Sequence, residues 1–199
     1  MEWNQFVSKI LAFSKTGIKY SKDPYALENY TELKELATRQ ITEERLIGES
    51  VTLYPKDAYP TPNISVRIVM FNEQGQLLMV QERDDQKFCV PGGWCDVFES
   101  PIENALKEVK QETNLDAKID RCLGIFMRDN YKVRPSMVSE YVMYFEATIL
   151  GGELKHNHEL IGIGYYDLEN LPELSGKTSE FELKTALKVA LENAPLYLE

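Results

Sequence analysis

Over the first 14 residues, Trp3, Phe6, Val7, Ile10 and Leu11 fall at i, i+3, i+4, i+7 and i+8. That spacing puts them on one side of an amphipathic helix, which Gly17 is expected to end. Asp23 and Pro24 have the form of a cap followed by proline in the first helical position. Tyr30, Leu33, Leu36, Ala37, Gln40 and Ile41 extend a second helix towards Gly48. Pro55, Pro60 and Pro62 then interrupt regular structure, as prolines in an extended linker do. Beyond them the period shortens to that of strands. NISVRIVMF is β-branched and apolar on both faces, NEQGQ is a turn, and LLMVQER is the returning strand. AKIDRCLGIFMR and VSEYVMYFEATI are two more strands, with Gly151-Gly152 as a turn. IGIGYYDL is a last short strand, stopped by Pro172. Ser179 and Glu182 have capping-box spacing and open a terminal helix through Leu183, Ala186, Leu187, Ala190 and Leu191. The expected organisation is a small α-helical domain over 1–50, a linker over 51–63, and an α/β domain over 64–199 with a sheet between helices.

One further helix stands apart from the rest. Ser100-Pro101-Ile102-Glu103 is a start signal: a capping hydroxyl, proline at N1 and an acid that can reach back to the cap amide. Asn114 stands where the helix should end, in a position that tolerates left-handed backbone. Ile102, Ala105, Leu106 and Val109 form an apolar stripe. Glu108, Gln111 and Glu112 lie at i, i+3 and i+4, on one narrow face clear of that stripe. Like charges at this spacing cost a helix a few tenths of a kcal/mol. Lys107 and Lys110 can soften that on a solvated face. A hard dication such as Mg2+ or Mn2+, which takes oxygen ligands, can remove it.

Composition narrows the choice. The chain has 199 residues and a formal net charge of −10. Such a field repels duplex nucleic acid, and it repels a phosphorylated small molecule unless dications bridge acid to phosphate. No apolar run approaches the ~18 residues of a membrane helix. The first residues carry no secretory signature, so a cytoplasmic protein is expected. Cys89, Cys95 and Cys122 are odd in number and unsuited in spacing to a disulfide framework or a zinc site.

The stretch GGWCDVFESPIENALKEVKQETNL resembles the Nudix box, written G-x5-E-x7-R-E-U-x-E-E-x-G-U with U a bulky apolar residue. Gly93, Glu99, Glu108, Val109, Glu112 and Leu115 match in register, while Lys107, Gln111 and Asn114 depart from the arginine, first acid and last glycine. PGGWCDVFESP and the N-terminal helices resemble a subgroup that hydrolyses nucleoside diphosphates linked to another moiety, typified by ADP-ribose and CDP-choline. The resemblance implies the Nudix fold, a mixed sheet sandwiched between helices. It implies an Mg2+- or Mn2+-dependent pyrophosphatase, with Glu108 and Glu112 as ligands alongside the Gly93 carbonyl and the uncharged oxygen of Gln111. Glu108 or Glu159 would activate water, Glu99 and Lys107 would orient the ligands, and Glu140 is a further acid able to compensate for Gln111. Arg83 is expected to meet a phosphate and Trp94 to stack on a base or cover a sheet edge. His156 and His158 are read as part of a polar loop. The expected partners are a small nucleotide conjugate and a second copy of the chain in a homodimer, with no DNA and no membrane. The alternative reading is a nucleotide-conjugate sensor whose altered box binds without cleaving.

Overall fold

The computed structural model describes residues 3–43, 62–131 and 140–199. These divide between Pro60 and Thr61 into two compact units. The expected linker lies outside the described residues except for Pro62 and Asn63, and Asn63 already opens a strand.

The first unit is a helical hairpin of α1 (Trp3–Tyr20) and α2 (Pro24–Glu43). The Asp23 carboxylate accepts from the Tyr25 amide at 3.0 Å, as its place before Pro24 leads one to expect. Val7, Leu11, Ala37 and Ile41 form the small core. Gly17 does not end α1. A side chain there would meet the Tyr30 ring at 2.3 Å, so this glycine lets α2 approach closely. Trp3 and Phe6, expected on the buried side, are instead exposed and stacked on each other with centroids 5.5 Å apart.

The second unit contains β1 (Asn63–Val69), β2 (Leu77–Glu82), β3 (Phe88–Cys89), α3 (Pro101–Thr113), β4 (Leu115–Met127), β5 (Glu140–Gly152), β6 (Leu160–Tyr166), α4 (Glu180–Glu192) and β7 (Tyr197–Leu198). A mixed sheet has the order β1-β5-β4-β7, and a smaller antiparallel sheet the order β3-β2-β6. The NEQGQ turn is present, with the Gly75 amide bonded to the Asn72 carbonyl at 3.0 Å. The strand after it does not return along β1. It joins the second sheet, pairing with β3 and β6, while β1 runs parallel to β5. Gly151 and Gly152 are the last residues of β5, paired to Asp116 and Leu115, rather than a turn beyond it. Gly152 has φ +101, and a side chain there would meet the Asn114 carbonyl at 2.7 Å.

The double-sided apolarity of β1 and β2 now has its cause. Val66, Ile68, Met70 and Leu78 pack with Ala105 and Val109 of α3. Val69, Leu77 and Met79 pack with Leu183, Ala186 and Leu187 of α4. Strands covered on both faces need apolar residues on both.

Two helix expectations change in detail. At α4, Ser179 accepts from the Glu182 amide at 3.5 Å, but the Glu182 side chain does not complete a capping box. It is fully buried and paired to Arg128 at 3.1 Å. In α3 the inward face is Ala105, Val109, Glu112 and Thr113 with Asn104, while Ile102 is half exposed. Glu112 therefore lies within the buried face, seven residues on from Ala105, and not on a separate acidic one.

Candidate active site

The local sequence fixes α3 at both ends. Ser100 accepts from the Glu103 amide at 3.2 Å, and the Glu103 carboxylate accepts from the Ser100 amide at 2.7 Å. Asn114 ends the helix with φ 60 and donates its amide to the Lys110 carbonyl. A helix held this firmly presents its side chains in a fixed order to the loop before it.

That loop lies along the free edge of β1. Ile68 donates to the Pro91 carbonyl at 2.8 Å, Val66 to the Gly93 carbonyl at 2.9 Å, and Cys95 to the Ile64 carbonyl at 2.9 Å. Gly92 has φ +145, and a side chain there would sit 2.1 Å from the Val66 carbonyl oxygen. A side chain on Gly93 would sit 2.5 Å from Glu108 Oε1. The two glycines thus let strand, loop and acid helix close on one another. Glu112 Oε2 accepts from the Gly92 amide at 2.9 Å.

Glu112 is buried, and burial pushes its carboxyl up to about 8, against the pull of the Gly92 amide and with a further push from Glu108. Burial also raises Glu108, while Arg67 and Lys107 draw it down and Glu159 pushes it up again. A buried carboxylate beside a half-buried one creates a demand for positive charge. Gln111 is exposed at the rim of this pair. Among the described residues no three His, Cys, Asp or Glu side chains form a ready metal cluster. The donors that fit a hard dication are two carboxylates and an amide oxygen. The Gly93 carbonyl already accepts from Val66 and has one lone pair left. Such a partial shell suits an ion that keeps waters and phosphate oxygens as its other ligands.

Lys107 Nζ lies 2.7 Å from Glu99 and also bonds Asp96. Burial pulls Lys107 down, but the two acids outweigh it and leave its pKa raised. The pair joins the loop to α3. Trp94 is half exposed and bridges Ser65 at the sheet edge. Arg83 is exposed. It donates to the His158 carbonyl at 3.1 Å and the Leu160 carbonyl at 3.2 Å, tying down the loop that carries exposed Glu159. Glu140 is buried elsewhere, accepting from Ser65 at 2.7 Å and from Arg128 at 3.3 Å, so it does not supplement the acid pair.

Sequence reasoning passed over Arg67, Glu82 and Lys177. Arg67 is buried beside the acids and donates to the Lys177 carbonyl at 3.3 and 3.2 Å and to the Val66 carbonyl at 3.0 Å. Lys177 pairs with buried Glu82 at 2.6 Å, and Glu82 accepts from Cys89 at 3.2 Å. A lone arginine inside an otherwise apolar strand was the available signal, because a buried charge needs a reason.

The second unit thus sets a glycine-paired loop against a helix that bears a buried and a half-buried acid. The family profile described as "NUDIX domain" matches residues 61–187, and the chain belongs to the Nudix hydrolases. A second profile, "UDP-X-like, N-terminal oligomerisation domain", matches residues 1–45. The chain is 30% identical over 179 residues to a provisionally named ADP-ribose pyrophosphatase of Bacillus subtilis, covering 88% of this chain and 86% of the relative. It is 27% identical over 169 residues to an ADP-ribose pyrophosphatase of Methanocaldococcus jannaschii, covering 84% and 85%. The crystal structure of a UDP-X diphosphatase superposes with a TM-score of 0.68 at 26% identity, covering 98% of this chain and 96% of that one. An ADP-ribose pyrophosphatase from Streptococcus suis gives 0.61 at 31% identity, covering 70% of this chain and all of the other. The protein is a Nudix hydrolase of the kind that acts on nucleoside diphosphates linked to another group. Among the described residues no helix is long and apolar enough to cross a membrane.

Proposed function

We propose that this protein is a divalent-metal-dependent pyrophosphatase. Its reaction would cleave ADP-ribose to AMP and ribose 5-phosphate, or CDP-choline to CMP and phosphocholine. The observation that carries this reading is the nearness of half-buried Glu108 and buried Glu112 to Gly93 and Gly92 respectively. Nudix hydrolases generally use divalent metals. Bound between the acids and the pyrophosphate, Mg2+ or Mn2+ would neutralise phosphoryl oxygens and lower the pKa of a bound water.

The residues of the chain do the rest. Glu112 in its carboxylate form, with Glu108, Gln111 and the Gly93 carbonyl, would hold the cation. Glu159, on the loop that Arg83 anchors, would be the base that takes the proton of the attacking water, with Glu108 as its alternate. Lys107 and Glu99 keep α3 in register with the glycine loop. Arg67, always charged, offsets the carboxylates and leaves the site less hostile to an anion. Trp94 covers the sheet edge at the mouth of the site.

A homodimer built on the N-terminal hairpin is part of the proposal. Phe6, Phe13 and Tyr20 lie at i, i+7 and i+14 of α1 and are all exposed, an apolar stripe that a second copy would cover.

The test is a panel of nucleoside diphosphate conjugates with Mg2+, read by product identity. AMP or CMP release from the matching conjugate supports the reading, and no turnover of any conjugate overturns it. The exposed amide of Gln111, where a third acid would complete the shell, favours one other outcome: a sensor that binds ADP-ribose without releasing AMP.

A further inference from the structure

We propose that the groove between residues 168–178 and the first turn of α4 is the subsite for the nucleobase of the substrate. This rests on the nucleoside diphosphate reading above. The groove has a volume of about 1240 Å³ and lies wholly within the second unit.

Its position is the first argument. Ser175, Gly176 and Thr178 line it, and Lys177 between them lies outside the lining. Arg67 grips the Lys177 carbonyl from the other side, and Lys177 is held to Glu82. The same guanidinium donates to the Val66 carbonyl, against which Gly92 packs, and the Gly92 amide donates to Glu112. One arginine side chain therefore connects the segment at the groove to the strand and loop that hold Glu112, and a nucleotide whose phosphates meet the acids has this groove beside it.

The lining is the second argument. Tyr131 and Phe181 stack with centroids 4.5 Å apart and planes 16° from parallel, and both line the groove. Phe181 is 44% exposed, so an aromatic face is open to a flat ring. Leu171 and Leu174 extend the apolar surface. The cations at the groove are already engaged: Lys87 with Glu173 at 2.6 Å, Lys184 with Glu180 at 2.6 Å, and Arg128 with Glu182 and Glu140. A phosphate would find no uncommitted positive charge there. A neutral aromatic ring fits.

The third argument is an unspent donor. Thr178 is 4% exposed, lines the groove, and its hydroxyl is the one buried side-chain polar atom without a hydrogen bond among the described residues. Buried hydroxyls normally have partners. Thr178 immediately precedes the cap of α4, a helix of 13 residues whose first amides have no partner within the helix. A hydroxyl and helix-end amides together offer donors to the carbonyl or ring-nitrogen edge of a base.

The experiment compares the wild-type full-length protein with Thr178→Val and Phe181→Ala, with Mg2+ present. Phe181→Leu serves if loss of the ring contacts to Tyr131 and Tyr197 unfolds Phe181→Ala. The expected result is a KM for the conjugate raised about tenfold with kcat changed less than about threefold, the split expected when binding shared by ground and transition states is lost. Product nucleoside monophosphate should inhibit the variants more weakly, while the other product, the phosphorylated X group, inhibits them as before. Affinity for Mn2+, measured directly on the metal alone, should not change. Folded variants with unaltered KM and unaltered monophosphate inhibition would overturn the proposal. So would weakened inhibition by the phosphorylated X group alone, which would put that group in the groove. A wild type that cleaves no conjugate yet binds nucleoside monophosphate in a Thr178-dependent way would refute the hydrolase reading and leave the groove assignment standing.

Discussion

Glu112 holds a proton in the metal-free protein over much of the neutral range, because burial lifts its pKa from an ordinary 4.5 to about 8. The folded state then prefers the neutral carboxyl. Its contribution to stability is fully present below about pH 4.5 and is lost as pH rises through about 8. Glu112→Gln, neutral at every pH, should therefore gain thermal stability over the wild type between pH 5 and 9 in chelator, by on the order of a few kcal/mol at the upper end. A melting-temperature difference that stays flat across that range would contradict this. The same substitution should lower kcat with Mg2+ by at least ~100-fold, as loss of a ligand essential to metal-assisted chemistry does. Near-normal turnover would place the cation elsewhere. Sequence spacing was enough to single out Glu108 and Glu112, since helical periodicity brings them together locally. It could not assign Glu182. Ser179 and Glu182 have the spacing of a capping box, but Arg128, 54 positions away, takes the carboxylate instead. Arg67 was hidden for the same reason, its partner Lys177 lying 110 positions along the chain.

The strand, the glycine loop and α3 act together, and the two glycines divide the work between them. Gly92 presses on the backbone of β1 with positive φ, so Gly92→Ala must displace the strand and should lower the melting temperature markedly. Gly93 presses only on the end of the Glu108 side chain, which can swing away. Gly93→Ala should fold and melt near the wild type yet lose most of its activity, because the displaced carboxylate would no longer face the proposed cation. Melting and turnover measured on the same preparations separate the two, and equal effects of both substitutions on both readouts would refute the distinction. Helix ends were legible in the sequence wherever the cap is local: Ser100, Pro101, Glu103 and Asn114 all occupy the places their chemistry suggests. Strand partners were not. The NEQGQ turn reverses the chain, but nothing in LLMVQER says that its neighbours will be β3 and β6, or that β1 will pair with a strand beginning at Glu140. Gly17 misled because a helix stop and a close helix crossing call for the same residue.

In the assembled molecule, the net charge of −10 and the apolar stripe of α1 pull in different directions. Like charge keeps molecules apart in solution, while Phe6, Phe13 and Tyr20 invite association, so a dimer should form through the hairpin and little else. Phe13→Glu should shift sedimentation from dimer to monomer without changing the melting of the second unit, and a wild type that sediments as a monomer would remove the proposal. The two compact units divide between Pro60 and Thr61, where the period of the sequence changes. The parallel pairing of Asn63 with Glu140 bears on how the enzyme is made. The glycine loop and the acid helix are both synthesised between those partners. A ribosome that has just released α3 therefore carries the carboxylates on a chain whose first strand still lacks its neighbour. The cradle that positions them closes only after β5 has been made, a long-range step of the kind that folds late. Chains that end before β5 should consequently bind Mn2+ more weakly than the full-length protein, if the proposed cation site is the one these acids form.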